Sequence, residues 1–171
     1  MMTVAMTEQT AHGRLGELWD AHAGDALRLA YLLTGQRELA EDLMQDAFIR
    51  ISGRFRDLRD PGAFGSYLKR TVVNLANSSF RRRGVERGYL ERHGPMLRDA
   101  IEGPDLGMRD QMWRALQRLP ERQRAALVLR YYEDMTEEQI ADMLGAARGT
   151  VKSLISRGLK GLRSRMGSED R

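Results

Sequence analysis

Between Gly84 and Gly107 the chain carries Gly84, Gly88, Gly94, Pro95, Gly103, Pro104 and Gly107, a density of helix breakers that no packed helix tolerates well. On both sides of it apolar residues recur at helical spacing, and no segment alternates as a strand would. This interruption therefore constrains the fold most. It predicts an all-α chain of two small helical domains joined by a flexible linker, over 15–83 and 110–166 with 84–109 between them. A length of 171 residues suffices for two small cores. Residues 1–14 lack a periodic pattern and are expected to form a loose tail.

In the first block, Leu15, Leu18, Trp19, Leu27, Ala30 and Tyr31 mark a helix that Thr34-Gly35 ends. A second helix, about 38–55, has Leu39, Leu43, Ala47, Phe48 and Ile51 as its inner stripe, with Ala40 and Met44 beside it. Its other face carries Glu41, Asp42, Gln45, Asp46 and Arg50. After the turn Asp60-Pro61-Gly62, a third helix spans about 63–83 with Phe64, Leu68, Val72 and Leu75 inward. In the second block, Met112, Leu116 and Leu119 resume the period, Pro120 begins the next helix, and Thr136-Glu-Glu-Gln139 is a capping box for another that ends at Gly145. The last helix follows, from Arg148 to about Met166.

Charge is distributed in blocks along the chain. From Arg50 to Arg92 there are 11 Lys or Arg against 4 Asp or Glu, whereas acids prevail in Glu8–Asp46 and Asp99–Asp142. No acid lies between Met143 and Ser168, while Arg148, Lys152, Arg157, Lys160, Arg163 and Arg165 do. A polyanion touched at two places explains the basic blocks, and a partner with basic surfaces explains the acidic ones. There is no cysteine, and His12, His22 and His93 lack metal-ligand spacing, so neither a metal site nor a cofactor is expected. No apolar run approaches a membrane span, which points to a soluble, cytoplasmic protein.

Two elements carry nucleic-acid chemistry. Arg70, Asn74, Asn77 and Arg81 fall on one face of the third helix, and Arg82 and Arg83 extend its charge. Asparagine is a poor helix former, but its amide can read base edges between phosphate-binding arginines. Just before it, Arg54-Phe55-Arg56-Asp57-Leu58-Arg59 mixes cations with apolar side chains, which suits single-stranded nucleic acid. The second element is a helix-turn-helix over 136–166, locked by Ile140, Ala141, Leu144, Val151, Ile155 and Leu159. It presents Lys152, Ser153, Ser156, Arg157 and Lys160 outward. Its second helix starts badly, with Ala147 at the capping position and a cation, Arg148, opposing the helix dipole. A DNA phosphate there would satisfy both the bare N–H groups and the guanidinium.

The run Leu116-Gln-Arg-Leu-Pro-Glu-Arg-Gln-Arg-Ala-Ala-Leu-Val-Leu-Arg-Tyr-Tyr-Glu133, followed by Gly149-Thr150-Val-Lys-Ser153, resembles the C-terminal domain of extracytoplasmic-function sigma factors. Leu29-Ala-Tyr-Leu-Leu-Thr-Gly35, Ala40-Glu-Asp-Leu-Met-Gln-Asp-Ala-Phe-Ile-Arg50 and Tyr67-Leu-Lys-Arg-Thr-Val-Val-Asn-Leu-Ala-Asn77 resemble its N-terminal domain. The short Asp60-Pro-Gly62 turn is most similar to the actinobacterial SigE-like branch. The resemblance implies a subunit, not an enzyme, that binds core RNA polymerase and directs promoter recognition and melting. It implies that Asp42, Gln45, Asp46 and Ile49 meet the clamp helices of the largest polymerase subunit, and that the helix around Ala125–Leu129 meets the flap. It also implies that the loop from Phe55 to Phe64 holds a flipped base, that Arg70, Asn74 and Asn77 contact the minus-ten element, and that Arg148–Arg157 enter the minus-thirty-five major groove. The family usually has Ser where Ala147 stands and often Trp where Tyr67 stands. An anti-sigma protein is a common further partner in that family, although no residue here specifies one.

Two other classes compete. A two-domain regulator could bind duplex DNA unaided by polymerase. An enzyme could use Glu41, Asp42 and Asp46, but these carboxylates face no matched base, nucleophile or phosphate loop.

Overall fold

The computed structural model describes residues 2–54, 61–90 and 110–166, with side chains described for 13–54, 62–82 and 112–166. Seven α-helices follow one another among the described residues: α1 (Met2–Thr34), α2 (Arg37–Ser52), α3 (Phe64–Leu90), α4 (Asp110–Gln117), α5 (Glu121–Tyr131), α6 (Glu137–Leu144) and α7 (Arg148–Met166). A single 3-10 turn, Pro61–Ala63, leads into α3. No strand occurs among the described residues.

The N-terminal domain is a three-helix packing of α1, α2 and α3 around Leu29, Leu33, Ala47, Ile51, Phe64, Leu68 and Val72, all buried. α1 ends where expected. Gly35 takes a left-handed φ of 70° and its N–H donates to Tyr31 O at 2.8 Å, a closure that a side chain at this position would strain. The buried stripe of α2 is Ala40, Leu43, Met44, Ala47 and Ile51. Phe48, expected inward, lies at the rim, where its ring meets Trp19 edge-on at 4.7 Å. The stripe is thus turned toward the small residues, which let α2 approach α1 closely.

Two expectations are corrected. The presumed tail over 1–14 is largely the opening of α1, which begins at Met2. The presumed linker does not start at Gly84, because α3 continues through Gly84 and Gly88 to Leu90. Each glycine costs about 1 kcal/mol relative to alanine, yet an established helix gains one hydrogen bond per added residue. The rest of the presumed linker, 91–109, lies outside the described residues.

In the C-terminal domain the middle of α5 is buried on all sides: Arg124, Ala125, Ala126, Leu127, Val128 and Leu129 have almost no exposed surface. A helix of this kind sits at a centre, here packed against α7, α6 and α1 of the other domain. Pro120 stands one residue before α5, its carbonyl accepting from Arg124 N at 3.0 Å. The capping box of α6 forms as expected. Thr136 Oγ1 accepts from Gln139 N at 3.2 Å, and Thr136 N donates to Gln139 Oε1 at 2.8 Å. Gly145, at φ 57°, closes α6 and turns the chain into α7.

α5 and α7 approach closely at Gly158, where a Cβ would lie 2.9 Å from Leu127 Cδ1 and 3.4 Å from Gln123 O. Gly158→Val should therefore overpack this crossing and destabilise the protein by about 1–3 kcal/mol. Urea denaturation followed by circular dichroism checks this, and an unchanged midpoint would mean that the two helices can part without cost.

Candidate nucleic-acid interface

α6, Gly145 and α7 form the expected helix-turn-helix, held by buried Ile140, Leu144 and Val151 with Ala141, Ile155 and Leu159 partly buried against them. Because Val151, Ile155 and Leu159 take the inner face, Lys152, Ser156, Arg157 and Lys160 emerge together on the solvent side. Gly149 and Thr150 are exposed beside them, and Ser153 is half-buried.

The start of α7 is resolved differently from the sequence expectation. Ala147 opens the helix with its carbonyl alone, accepting from Thr150 N at 2.9 Å and Val151 N at 3.1 Å. The Arg148 guanidinium does not wait for a phosphate. Its Nε lies 3.4 Å from Glu137 Oε2 and its Nη1 2.8 Å from Glu138 Oε1. These carboxylates occupy the first turn of α6, where they also complement that helix's dipole. Arg148 and Glu138 are about two-thirds exposed, so the contact is worth under about 1 kcal/mol. The sequence held the signal, two acids eleven and ten residues before Arg148, but not the turn that folds them back.

On α3, Arg70, Asn74, Arg81 and Arg82 are exposed and Asn77 is half-buried, so the predicted stripe forms a single accessible face. The backbone of α3 places Arg83 next in the helix, although its side chain lies outside those described. Arg54 is exposed at the end of α2, while Phe55 and Arg56 lie outside the described residues. Phe64 must be withdrawn from the interface. Its side chain is fully buried, 5.9 Å from the His22 ring, because the first inward position of α3 belongs to the core.

α2 turns Asp42, Gln45, Asp46 and Ile49 outward together, and Ile49 is 66% exposed, the most exposed of the large apolar side chains described. An isoleucine amid carboxylates suits docking on a basic protein surface with an apolar notch. The flap-facing role expected of Ala125–Leu129 is not accessible here, since those residues are buried within the C-terminal domain and beneath α1.

Contacts between the domains were missed from the sequence. Arg124 donates from Nε to Leu33 O at 2.8 Å, Gln117 from Nε2 to Leu32 O at 3.2 Å, and Tyr31 stacks on Trp113 at 4.5 Å. Lys69, next to Arg70, pairs with Glu133 at 2.7 Å. Burial raises the pKa of the Tyr31 hydroxyl, opposed by the charge of Arg37. Arg124, a cation inside the buried run of α5, was the available clue. Among the described residues no group of acids and histidines is placed to hold a metal ion, and no helix is long and apolar enough to cross a membrane.

Two helical units, one with a basic asparagine-bearing helix and one with a helix-turn-helix, define a sigma-70-type architecture. Residues 18–85 match the family model for Sigma-70 region 2, and residues 109–162 match that for Sigma-70 region 4. The chain is 37% identical over 173 residues to the ECF RNA polymerase sigma factor SigE of Mycolicibacterium smegmatis, covering 93% of this chain and 64% of that protein. It is 34% identical over 146 residues to the RNA polymerase sigma-E factor of Streptomyces coelicolor, covering 84% of this chain and 81% of that one. Its fold is similar to that of the sigma factor RpoE of Bartonella quintana, solved with the anti-sigma factor NepR, with a TM-score of 0.64 and 24% identity over 94% of this chain and 96% of that one. The chain belongs to the extracytoplasmic-function sigma factors, in their SigE-like actinobacterial group.

If the carboxylates compete with DNA for Arg148, Glu137→Gln combined with Glu138→Gln should tighten binding to a minus-thirty-five duplex several-fold at low salt. The gain should fade as ionic strength rises. Fluorescence anisotropy across a salt series measures it, and equal affinities at every salt would remove Arg148 from the groove.

Proposed function

We propose that this chain is a promoter-specificity subunit that binds core RNA polymerase and directs it to begin transcription. The observation that carries this reading is the presence of two separate nucleic-acid faces, on α3 and α7, together with an acidic and apolar protein-binding face on α2. A regulator working alone on duplex DNA needs no Ile49 presented among carboxylates.

In this reading Asp42, Gln45, Asp46 and Ile49 seat the factor on the polymerase clamp helices. Arg70, Asn74 and Asn77 read the minus-ten element, with Arg54, Phe55, Arg56, Arg81, Arg82 and Arg83 holding the strands around it. Arg148, Gly149, Thr150, Lys152, Ser153, Ser156, Arg157 and Lys160 engage the minus-thirty-five element. Gly149 and the small hydroxyls allow close backbone approach, and the cations neutralise phosphates. The factor acts by binding and positioning, carries no chemistry of its own, and works in the cytoplasm, where polymerase and chromosome are. A flap contact through α5 requires that α1 first leave it. An anti-sigma protein, such as the one bound to the Bartonella factor, is a further partner that this architecture accommodates.

Run-off transcription with purified core polymerase tests the reading, because a free-standing regulator gives no promoter-dependent product from core alone. Asp46→Arg should abolish holoenzyme assembly with the fold intact, and normal assembly by size-exclusion chromatography would move the clamp face elsewhere. Asn74→Ala should reduce discrimination among minus-ten variants by about 1–3 kcal/mol. Unchanged discrimination in competition assays would leave Asn74 no base to read.

A further inference from the structure

The basic asparagine-bearing face of α3 contains one residue that neither its charge nor its amides would draw attention to. Ser78 lies four residues after Asn74, three before Arg81 and four before Arg82. These are the offsets that make side chains neighbours on a helix surface. Asn74, Arg81 and Arg82 are exposed and Ser78 is half-buried, so its hydroxyl sits lower in the same face.

Hydrogen-bonding chemistry sets this position apart. The guanidinium groups of Arg70, Arg81 and Arg82 only donate, and the amides of Asn74 and Asn77 can both donate and accept. A hydroxyl has one donor and two acceptor lone pairs. The donor of Ser78 is already engaged, because its Oγ donates to Asn74 O at 2.9 Å. What it turns toward an arriving ligand is therefore its lone pairs. Rotating the hydroxyl to donate outward gives up the bond to Asn74 O, so the acceptor state is favoured. Thr71 makes the same kind of bond to Tyr67 O at 2.9 Å, but there it is part-buried, whereas that of Ser78 is exposed.

An acceptor in a nucleic-acid face selects what it meets. Phosphate oxygens are acceptors too and offer it nothing, while the arginines beside it are suited to hold them. Base edges present both kinds of group. On the major-groove edge adenine N6 and cytosine N4 are amino donors, whereas guanine has O6 and thymine has O4, both acceptors. Those amino groups point a hydrogen into the groove even when the bases are paired. The contact is thus open to duplex and melted DNA alike.

We propose that Ser78 is a specificity-determining residue of α3, accepting a hydrogen bond from the exocyclic amino group of an adenine or cytosine in the minus-ten element. The assignment rests on the promoter-subunit reading above and adds to it which bases α3 favours. At the position facing Ser78, amino-bearing bases bind in preference to guanine and thymine. Arg81 and Arg82 fix the backbone, so a single neutral hydrogen bond can choose between bases without supplying the affinity.

Holoenzyme assembled from the full chain and core polymerase is used to select promoter duplexes from a randomised pool. In a selected duplex each minus-ten adenine is replaced in turn by purine and each cytosine by 2-pyrimidinone, which lack only the amino group. At one position the replacement should weaken binding by the unaltered factor about three- to tenfold, and Ser78→Ala should abolish that loss. Ser78→Thr keeps a hydroxyl able to bond the carbonyl four residues back, and should retain it. Alanine is the better helix former and removes a slightly destabilising back-bond, so the melting temperature of Ser78→Ala should hold or rise. Equal losses in the unaltered and Ser78→Ala factors at every position would overturn the assignment, as would a lowered melting temperature accounting for the change. If Asn74→Ala loses discrimination and Ser78→Ala does not, the promoter-subunit reading stands and the role of Ser78 falls. If the holoenzyme selects no duplex, that reading fails and takes the assignment with it.

Discussion

A guanidinium cannot be left in a protein interior without acceptors, and the arrangement of this molecule follows from how Arg124 is answered. The cation sits at the start of the fully buried run of α5, so its own domain has few acceptors to give. Gln117 O supplies one, and the end of α1 supplies another together with its dipole. Removing a partner from a buried charge usually costs about 3–5 kcal/mol, but parting the domains does something different. It hands the guanidinium, the helix-end carbonyls and the buried, unpartnered Tyr31 Oη and Gln117 Oε1 to water at the same moment. The net penalty is then only the difference between two hydrogen-bonded states, together with the apolar area around Tyr31 and Trp113. A seam built this way is specific without being permanent.

The elements of each domain were legible in the sequence because they rest on local rules. Leu43, Ala47 and Ile51 mark a helix face by spacing, Thr136 and Gln139 a helix start by chemistry, and Ile140, Leu144 and Val151 the lock of the helix-turn-helix. Phe64 shows where such rules conflict. It is both the first inward residue of α3 and a plausible ring for stacking on a base, and the core claimed it. Phe48 and the continuation of α3 through Gly84 were misjudged for a related reason, since spacing gives a face only to within a residue or two and propensity is a weak prior. Arg124 was beyond such reasoning. Arginine is ordinarily exposed, and only the run Ala125–Leu129 behind it, too apolar for a surface helix, hinted that its position is interior.

The charge blocks along the chain acquire a different meaning once the contacts are seen. Carboxylates hold cations of both basic helices: Glu137 and Glu138 hold Arg148 on α7, and Glu133 holds Lys69 on α3. The first contact is exposed and weak; the second is more shielded, with Glu133 almost buried. A polyanion arriving at α7 would displace a labile pair, whereas on α3 the engaged cation, Lys69, lies beside the exposed Arg70, Asn74, Arg81 and Arg82 and leaves them open.

That asymmetry bears on how selectivity can arise from two modest DNA contacts. Two modules on one chain bind tightly when the link between them matches the span of their sites, and lose that advantage when geometry forbids simultaneous engagement. In the structure the contacts from Arg124 to Leu33 and from Glu133 to Lys69 hold the two domains together. Under the proposed function, polymerase on the α2 face would have to let them separate to the spacing a promoter requires before both contacts could count. Selectivity in such a system depends on the seam as much as on the base-reading side chains. A seam too strong would leave promoters unread, and one too weak would let an unassembled factor bridge any pair of suitably spaced sites.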